Sequence, residues 1–265
     1  MPVTIRDIRG FKERGERFTM LTAYDALSAR LIDEAGIPLI LVGDTLAEVM
    51  LGYDSTVPVT LDEMIHHTKA VRRGVQNALI VGDLPFMSYQ ASVEDGMRSA
   101  GRFLKEAGAR AVKLEGGGRV LDLVHRLTDA GIPVMGHLGL TPQSVNQFGG
   151  YRIQGRIAED AQRILQEAKD LQAAGVFALV LECVPAQLAA EVTANLEVPT
   201  IGIGAGPGCD GQVLVYHDFL GINTGRLAKY VKKYADLGPQ IRDAAMRFDA
   251  EVKSGDYPGP EHSYE

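Results

Sequence analysis

The chain has 265 residues, 46% hydrophobic and 23% charged, with a formal net charge of -7 and a mean hydropathy near zero. Such a chain is long enough for one α/β barrel, offers no basic field for nucleic acid, and with only Cys183 and Cys209 has no disulfide framework. No run approaches the roughly 18 to 20 apolar residues that span a bilayer, and none near the start resembles a secretory signal, so a cytoplasmic protein acting on a small molecule is expected.

Residues 1–17 are heavily charged, with Ile5, Ile8 and Phe11 spaced by three, which predicts a short amphipathic helix covering the bottom of whatever follows. From Phe18 the pattern becomes regular, and strands are predicted over 18–24, 38–43, 78–83, 110–115, 132–137, 178–182, 199–203 and 212–216, with helices between them. The pairs Ala35-Gly36, Ala107-Gly108, Ala130-Gly131 and Ala174-Gly175 place glycine where a helix must end. Repeating units of one strand and one helix argue for parallel strands and right-handed crossovers. Eight of them predict a (β/α)8 TIM barrel with an N-terminal capping helix, a single domain over 1–265. The alternative, an open doubly wound sheet, needs a glycine fingerprint after its first strand, but the first turn reads Thr22-Ala23-Tyr24-Asp25. The one GxGxxG match, Gly206 to Gly211, runs into the β-like Val213-Leu214-Val215 and not into a helix. Two connections, 46–59 and 138–156, are long enough to be lids, binding loops or oligomer contacts. A helical pattern returns at 237–253, before a polar tail over 257–265.

In Val112-Lys113-Leu114-Glu115-Gly116-Gly117 the period of two puts Lys113 and Glu115 on one face, either as a structural ion pair or as the rim of a site. The tripeptide Val-Gly-Asp closes a predicted strand twice, at 42–44 and 81–83, so Asp44 and Asp83 are expected at equivalent places on consecutive strands. With neighbouring strands about 4.8 Å apart, Glu115 joins them, and three converging carboxylates call for a cation. All-oxygen donors suit a hard ion, Mg2+. Glu182 ends a strand from the opposite part of the ring, where a base could face a metal-bound substrate. His137 is either a neutral hydrogen-bond donor or a rim residue, His66 and His67 on the predicted helix 60–73 are structural or exposed, and Cys183 and Cys209 are structural. Two other chemistries fit the same residues. One is a Schiff-base aldolase with Lys113 as nucleophile; the other is a non-catalytic barrel holding phosphate at Ile201-Gly202-Ile203-Gly204-Ala205-Gly206.

The segments VGDT (42–45), GYDSTVPVT (52–60), DLPFMSY (83–89), VKLEGG (112–117), GHLGLTPQSVNQFGGY (136–151), VLECVP (180–185) and IGIGAG (201–206) together resemble the ketopantoate hydroxymethyltransferase family. The likeness runs from the N-terminal helix to Glu261-His262-Ser263. It implies a barrel of the phosphoenolpyruvate/pyruvate type in which 5,10-methylenetetrahydrofolate gives a one-carbon unit to 3-methyl-2-oxobutanoate. The product is 2-dehydropantoate, formed through a Mg-stabilised enolate, on the way to pantothenate. By the same likeness Asp44, Asp83 and Glu115 are metal carboxylates and Asp44, Thr45, Asp83 and Lys113 bind substrate. Glu182 accepts the proton, and the chain forms a homo-oligomer, a decamer in the family. The family usually has serine after its first metal aspartate; Thr45 here keeps the hydroxyl.

Overall fold

Short apolar runs alternate with helices that carry their own start and stop signals, and the chain folds accordingly. The computed structural model describes residues 2–264 apart from 151, 224 and 226. Eight parallel strands, β1 (Phe18–Thr22), β2 (Leu39–Val42), β3 (Leu79–Asp83), β4 (Ala111–Lys113), β5 (Val134–Gly139), β6 (Ala178–Glu182), β7 (Thr200–Ile203) and β8 (Gly211–Leu214), close into a barrel in sequence order. All eight predicted strands are present. The unit 216–265 is distinct from the barrel unit Met1–Val215.

Helix α1 (Ile5–Glu13) precedes the barrel; α2 (Ala26–Glu34), α3 (Leu46–Val49), α4 (Leu61–Gly74), α5 (Val93–Lys105), α6 (Leu121–Asp129), α7 (Val145–Phe148), α8 (Ala158–Ala173) and α9 (Ala186–Asn195) lie between strands. Thr4 and Thr60 form capping boxes with Asp7 and Glu63, and Asp25 and Ser92 accept from backbone amides of the first turns of α2 and α5. Glycine at 36 and 131, with φ of +79° and +80°, takes the left-handed conformation that ends α2 and α6.

Inside the barrel, Phe18, Met20, Leu39, Leu41, Leu79, Val81, Ala111, Met135, Val180, Ile201 and Val213 form one buried cluster. Ile8 of α1 is fully buried in it, with Ile5 and Phe11 packed alongside, so the predicted N-terminal helix does plug the barrel bottom. Burial of that apolar layer, at about 25 cal/mol per Å2, is the main driving force for the closed barrel. In the Gly206–Gly211 stretch a Cβ on Gly206 would stand 2.4 Å from that of Ala186, so this glycine serves close packing of a loop on α9. Unit 216–265 holds α10 (Tyr216–Phe219) and α11 (Leu237–Ser254), tied by amides of Leu237 and Gly238 donating to the carbonyls of Leu220 and Gly221.

Candidate active site

The same alternation that fills the barrel bottom with apolar side chains puts polar ones at its C-terminal mouth. Going up each strand by twos from the core cluster, the inward positions become Thr22, Gly43, Asp83, Lys113, His137, Glu182, Ile203 and Val215, all lining one recess of about 440 Å3 including its open mouth. Lys113 and Glu115 stay in phase although β4 ends at Lys113, because the amides of Val112, Leu114 and Gly116 keep donating to the carbonyls of Pro133, Met135 and His137. The two charges therefore share the inner face, as their spacing predicts.

The expected equivalence of Asp44 and Asp83 does not hold. Strand β3 pairs Val81 with Leu41 and Gly82 with Val42, so Asp83 continues level with Gly43, one residue short of Asp44. A one-residue offset turns a strand side chain to the other face. Asp44 reaches the recess only because β2 has ended at Val42 and the chain turns into α3. Its own backbone amide then donates to Asp83 Oδ2 at 3.1 Å.

Asp83 and Lys113 are cross-strand partners, with Lys113 Nζ 2.8 Å from Asp83 Oδ1 and 4.0 Å from Glu115 Oε1. His137 is buried between the two sides of the mouth: Nδ1 lies 3.3 Å from Lys113 Nζ and 3.4 Å from Glu115 Oε1, and Nε2 lies 3.3 Å from Glu182 Oε2. Gly139, at φ +94°, lets β5 turn over the end of β6; a Cβ there would stand 2.2 Å from the Glu182 carbonyl oxygen. Thr45 Oγ1 and Tyr24 Oη share a hydrogen bond of 2.8 Å. His67, on α4, bonds the Tyr24 carbonyl through Nδ1 at 2.7 Å while His66 is exposed, so both keep the structural or surface roles expected of them.

Burial and the charges of Asp83 and Glu115 push Asp44 well above the ordinary carboxylate range, and burial also raises Asp83 against the opposing pull of Lys113. For Lys113, burial works against the ammonium, yet Asp83, Glu115 and Asp44 outweigh it and raise its affinity for the proton. Burial and Lys113 push His137 down, but its bonds to Glu115 and Glu182 prevail and leave it raised to about 9.

Asp44, Asp83, Glu115 and Glu182 face only two cations, Lys113 and a His137 held protonated, so negative charge stays short of compensation. Asp83 Oδ1, 2.8 Å from the Lys113 ammonium, and Glu115 Oε1, 3.4 Å from His137 Nδ1, meet only these charged neighbours. A hard divalent cation fits that donor set in charge and chemistry. Among the described residues no three His, Cys, Asp or Glu side chains stand, as they are, where they could together hold a metal ion. This is compatible with Mg2+, which is usually held by one or two carboxylates with waters and substrate oxygens completing its shell.

The structure thus gathers Asp44, Thr45, Asp83, Lys113, Glu115 and Glu182 around one recess. It also gathers residues that sequence reasoning passed over: Gln143, buried at 4% exposure, and Tyr89, also at 4%. No local signal singles out the first, because the same loop also carries Thr141, Ser144, Asn146 and Gln147. Tyr151, which ends that loop motif, lies outside the described residues.

Residues 2–260 match the sequence profile described as ketopantoate hydroxymethyltransferase. Among similar proteins, the 3-methyl-2-oxobutanoate hydroxymethyltransferase of Syntrophus aciditrophicus (strain SB) is 58% identical over 262 residues, covering 99% of this chain and 96% of the relative. That of Thermobifida fusca (strain YX) is 61% identical over 262 residues, covering 99% and 93%. Among solved structures, 2,3-dimethylmalate lyase, a PEP mutase/isocitrate lyase superfamily member, superposes with a TM-score of 0.60 at 16% identity, covering 98% of this chain and 93% of that one. A phosphonopyruvate hydrolase gives 0.63 at 12%, covering 99% and 92%. At that identity the likeness is one of fold.

Proposed function

The chain belongs to the ketopantoate hydroxymethyltransferase family, and from that premise we propose that it moves a one-carbon unit from 5,10-methylenetetrahydrofolate to C3 of 3-methyl-2-oxobutanoate. With one water consumed, the products are 2-dehydropantoate and tetrahydrofolate. Mg2+, held by Asp44, Asp83 and Glu115, would supply Lewis acidity to the keto acid's oxygens. Lys113, kept as an ammonium by Asp83, adds positive charge beside those oxygens, and the Thr45 hydroxyl, oriented by Tyr24, offers a hydrogen bond to the carboxylate. Glu182 takes the C3 proton. Its side chain is 14% exposed, across the mouth from Lys113, while His137 beneath it is 3% exposed with Nε2 3.3 Å from Oε2.

The observation that carries this reading is the placement of one carboxylate, Glu182, on the far wall from the charged group of Asp44, Asp83, Lys113 and Glu115. The same observation weighs against a Schiff base on Lys113, since an amine nucleophile must be unprotonated and this one is buried against carboxylates that hold its proton. No helix among the described residues is long and apolar enough to cross a membrane. A cytoplasmic homo-oligomer, a decamer as in the family, completes the proposal; Leu27 and Leu31, one turn apart on α2 and 69% and 62% exposed, support an apolar contact between copies.

The test is enolisation without folate. Glu182→Gln keeps size and hydrogen bonding but accepts no proton, so the keto acid still binds while exchange of its C3 hydrogen with deuterated water, followed by NMR, falls by roughly 10² to 10⁴-fold. Near-normal exchange would remove Glu182 from the role of base.

A further inference from the structure

Gln143 sits on the loop that follows β5, 99 residues from Asp44 in sequence, yet its side chain reaches the metal-side carboxylates. Its Nε2 donates to Asp44 Oδ2 and to the Leu84 carbonyl, both at 2.9 Å. Its Oε1 accepts from Tyr89 Oη at 2.8 Å and from Gln90 Nε2 at 2.9 Å. Its backbone amide donates to Glu115 Oε2 at 3.1 Å. Every hydrogen-bonding position of the amide is occupied, in a place only 4% exposed.

The orientation of that amide is decided by chemistry independent of Asp44. A backbone carbonyl only accepts, so the end of Gln143 facing Leu84 O is the NH2 end. The other NH2 hydrogen must then point at Asp44, and Asp44 Oδ2 must accept it. At the far end the Tyr89 hydroxyl, which accepts from the Glu115 amide at 3.1 Å, has two acceptors in reach, Gln143 Oε1 at 2.8 Å and the Glu115 carbonyl at 3.3 Å, and the shorter contact is the one to Gln143. Asp44 lies just after β2, Leu84 and Tyr89 in the β3 loop, and Glu115 just after β4; Gln143 ties all three to the loop after β5.

We infer that Gln143, set by Tyr89, is a positioning residue that restrains the carboxylates of Asp44 and Glu115 on the side of the recess where a divalent cation would bind. The inference rests on the cation site proposed above. A ring of hydrogen bonds behind ligating carboxylates restricts their rotation before the ion arrives, and groups in that place are worth about 10- to 100-fold in metal affinity. A donor on Asp44 Oδ2 also leaves its second oxygen as the one to face an ion.

The experiment uses Mn2+ as the probe, with free ion read by electron paramagnetic resonance on the full-length protein. Gln143→Met, of similar size and without polar atoms, is expected to raise the Mn2+ Kd about 10- to 100-fold. Tyr89→Phe, which removes one hydroxyl, raises it several-fold and supplies the reading if Gln143→Met does not fold. In an Asp44→Asn background, titrated to millimolar Mn2+, Gln143→Met moves the Kd less than twofold, because the amide then has no carboxylate to hold. A role confined to folding would lower thermal stability and leave the Kd alone. If the wild type binds Mn2+ and Asp44→Asn weakens it while Gln143→Met and Tyr89→Phe bind as wild type, the positioning role is overturned and the cation site stands. If the wild type takes up no Mn2+, the cation site falls and this role with it.

Discussion

Lys113→Met isolates what a single buried charge does for this barrel. The ammonium is 5% exposed, 2.8 Å from Asp83 and 4.0 Å from Glu115, and methionine fills nearly the same volume without the charge. Removing one partner of a buried pair leaves the other uncompensated, which costs about 3 to 5 kcal/mol. At about 2 to 4 °C per kcal/mol for a chain of this size, the melting temperature should fall by roughly 6 to 20 °C. The loss also depends on pH with a definite sign. Asp44 and Asp83 already have raised proton affinity in the folded state through burial, and without Lys113 it rises further. The folded variant then binds more protons than the unfolded chain between the ordinary carboxylate range and the raised values, so its stability recovers as pH falls through that window. Wild-type Lys113, charged in both states across that window, adds no opposing slope. Urea and thermal melts at about pH 8 and about pH 5 should show the larger defect at the higher pH, and added Mg2+ should restore more stability to the variant than to the wild type. A loss below about 1 kcal/mol, or one equal at both pH values, would refute the uncompensated-carboxylate argument.

Chelation with excess EDTA should abolish turnover and Mg2+ should restore it, because Lys113 and His137 balance only part of the buried carboxylate charge; full turnover in EDTA sinks the metal reading. Gly139→Ala forces a Cβ to 2.2 Å from the Glu182 carbonyl oxygen at a φ of +94°. It should cost at least about 1 to 3 kcal/mol in urea melts and lower kcat more than KM, since the displaced group is the base. Cys183 stands next to that base, and burial, with the Glu182 charge, raises its thiol to about 12. At about pH 8 its thiolate fraction is near 10⁻⁴, so iodoacetamide should label it roughly a thousandfold more slowly than free cysteine by mass spectrometry.

Alternation along one strand is a local property, and it was legible. Lys113 with Glu115 could be assigned to one shared face from their spacing, and His137 and Glu182 to the ends of their strands. Helix caps such as Thr60 with Glu63, and the glycines that end helices, are local for the same reason. The recurrent motifs carried the family and, with it, the roles expected of Asp44, Asp83, Glu115 and Glu182. Register between strands is not local. The two Val-Gly-Asp tripeptides look equivalent, yet pairing of β2 with β3 sets Asp83 beside Gly43, and only a turn after Val42 brings Asp44 to the same recess. Nothing within a dozen residues of Gln143 announces that its amide will be turned by the Leu84 carbonyl and aimed at Asp44. Periodicity tells which face a side chain takes because it depends on the residue's own backbone. Which partners it meets there depends on how distant segments are staggered when the barrel closes, and that was decided only by the packing of the whole fold.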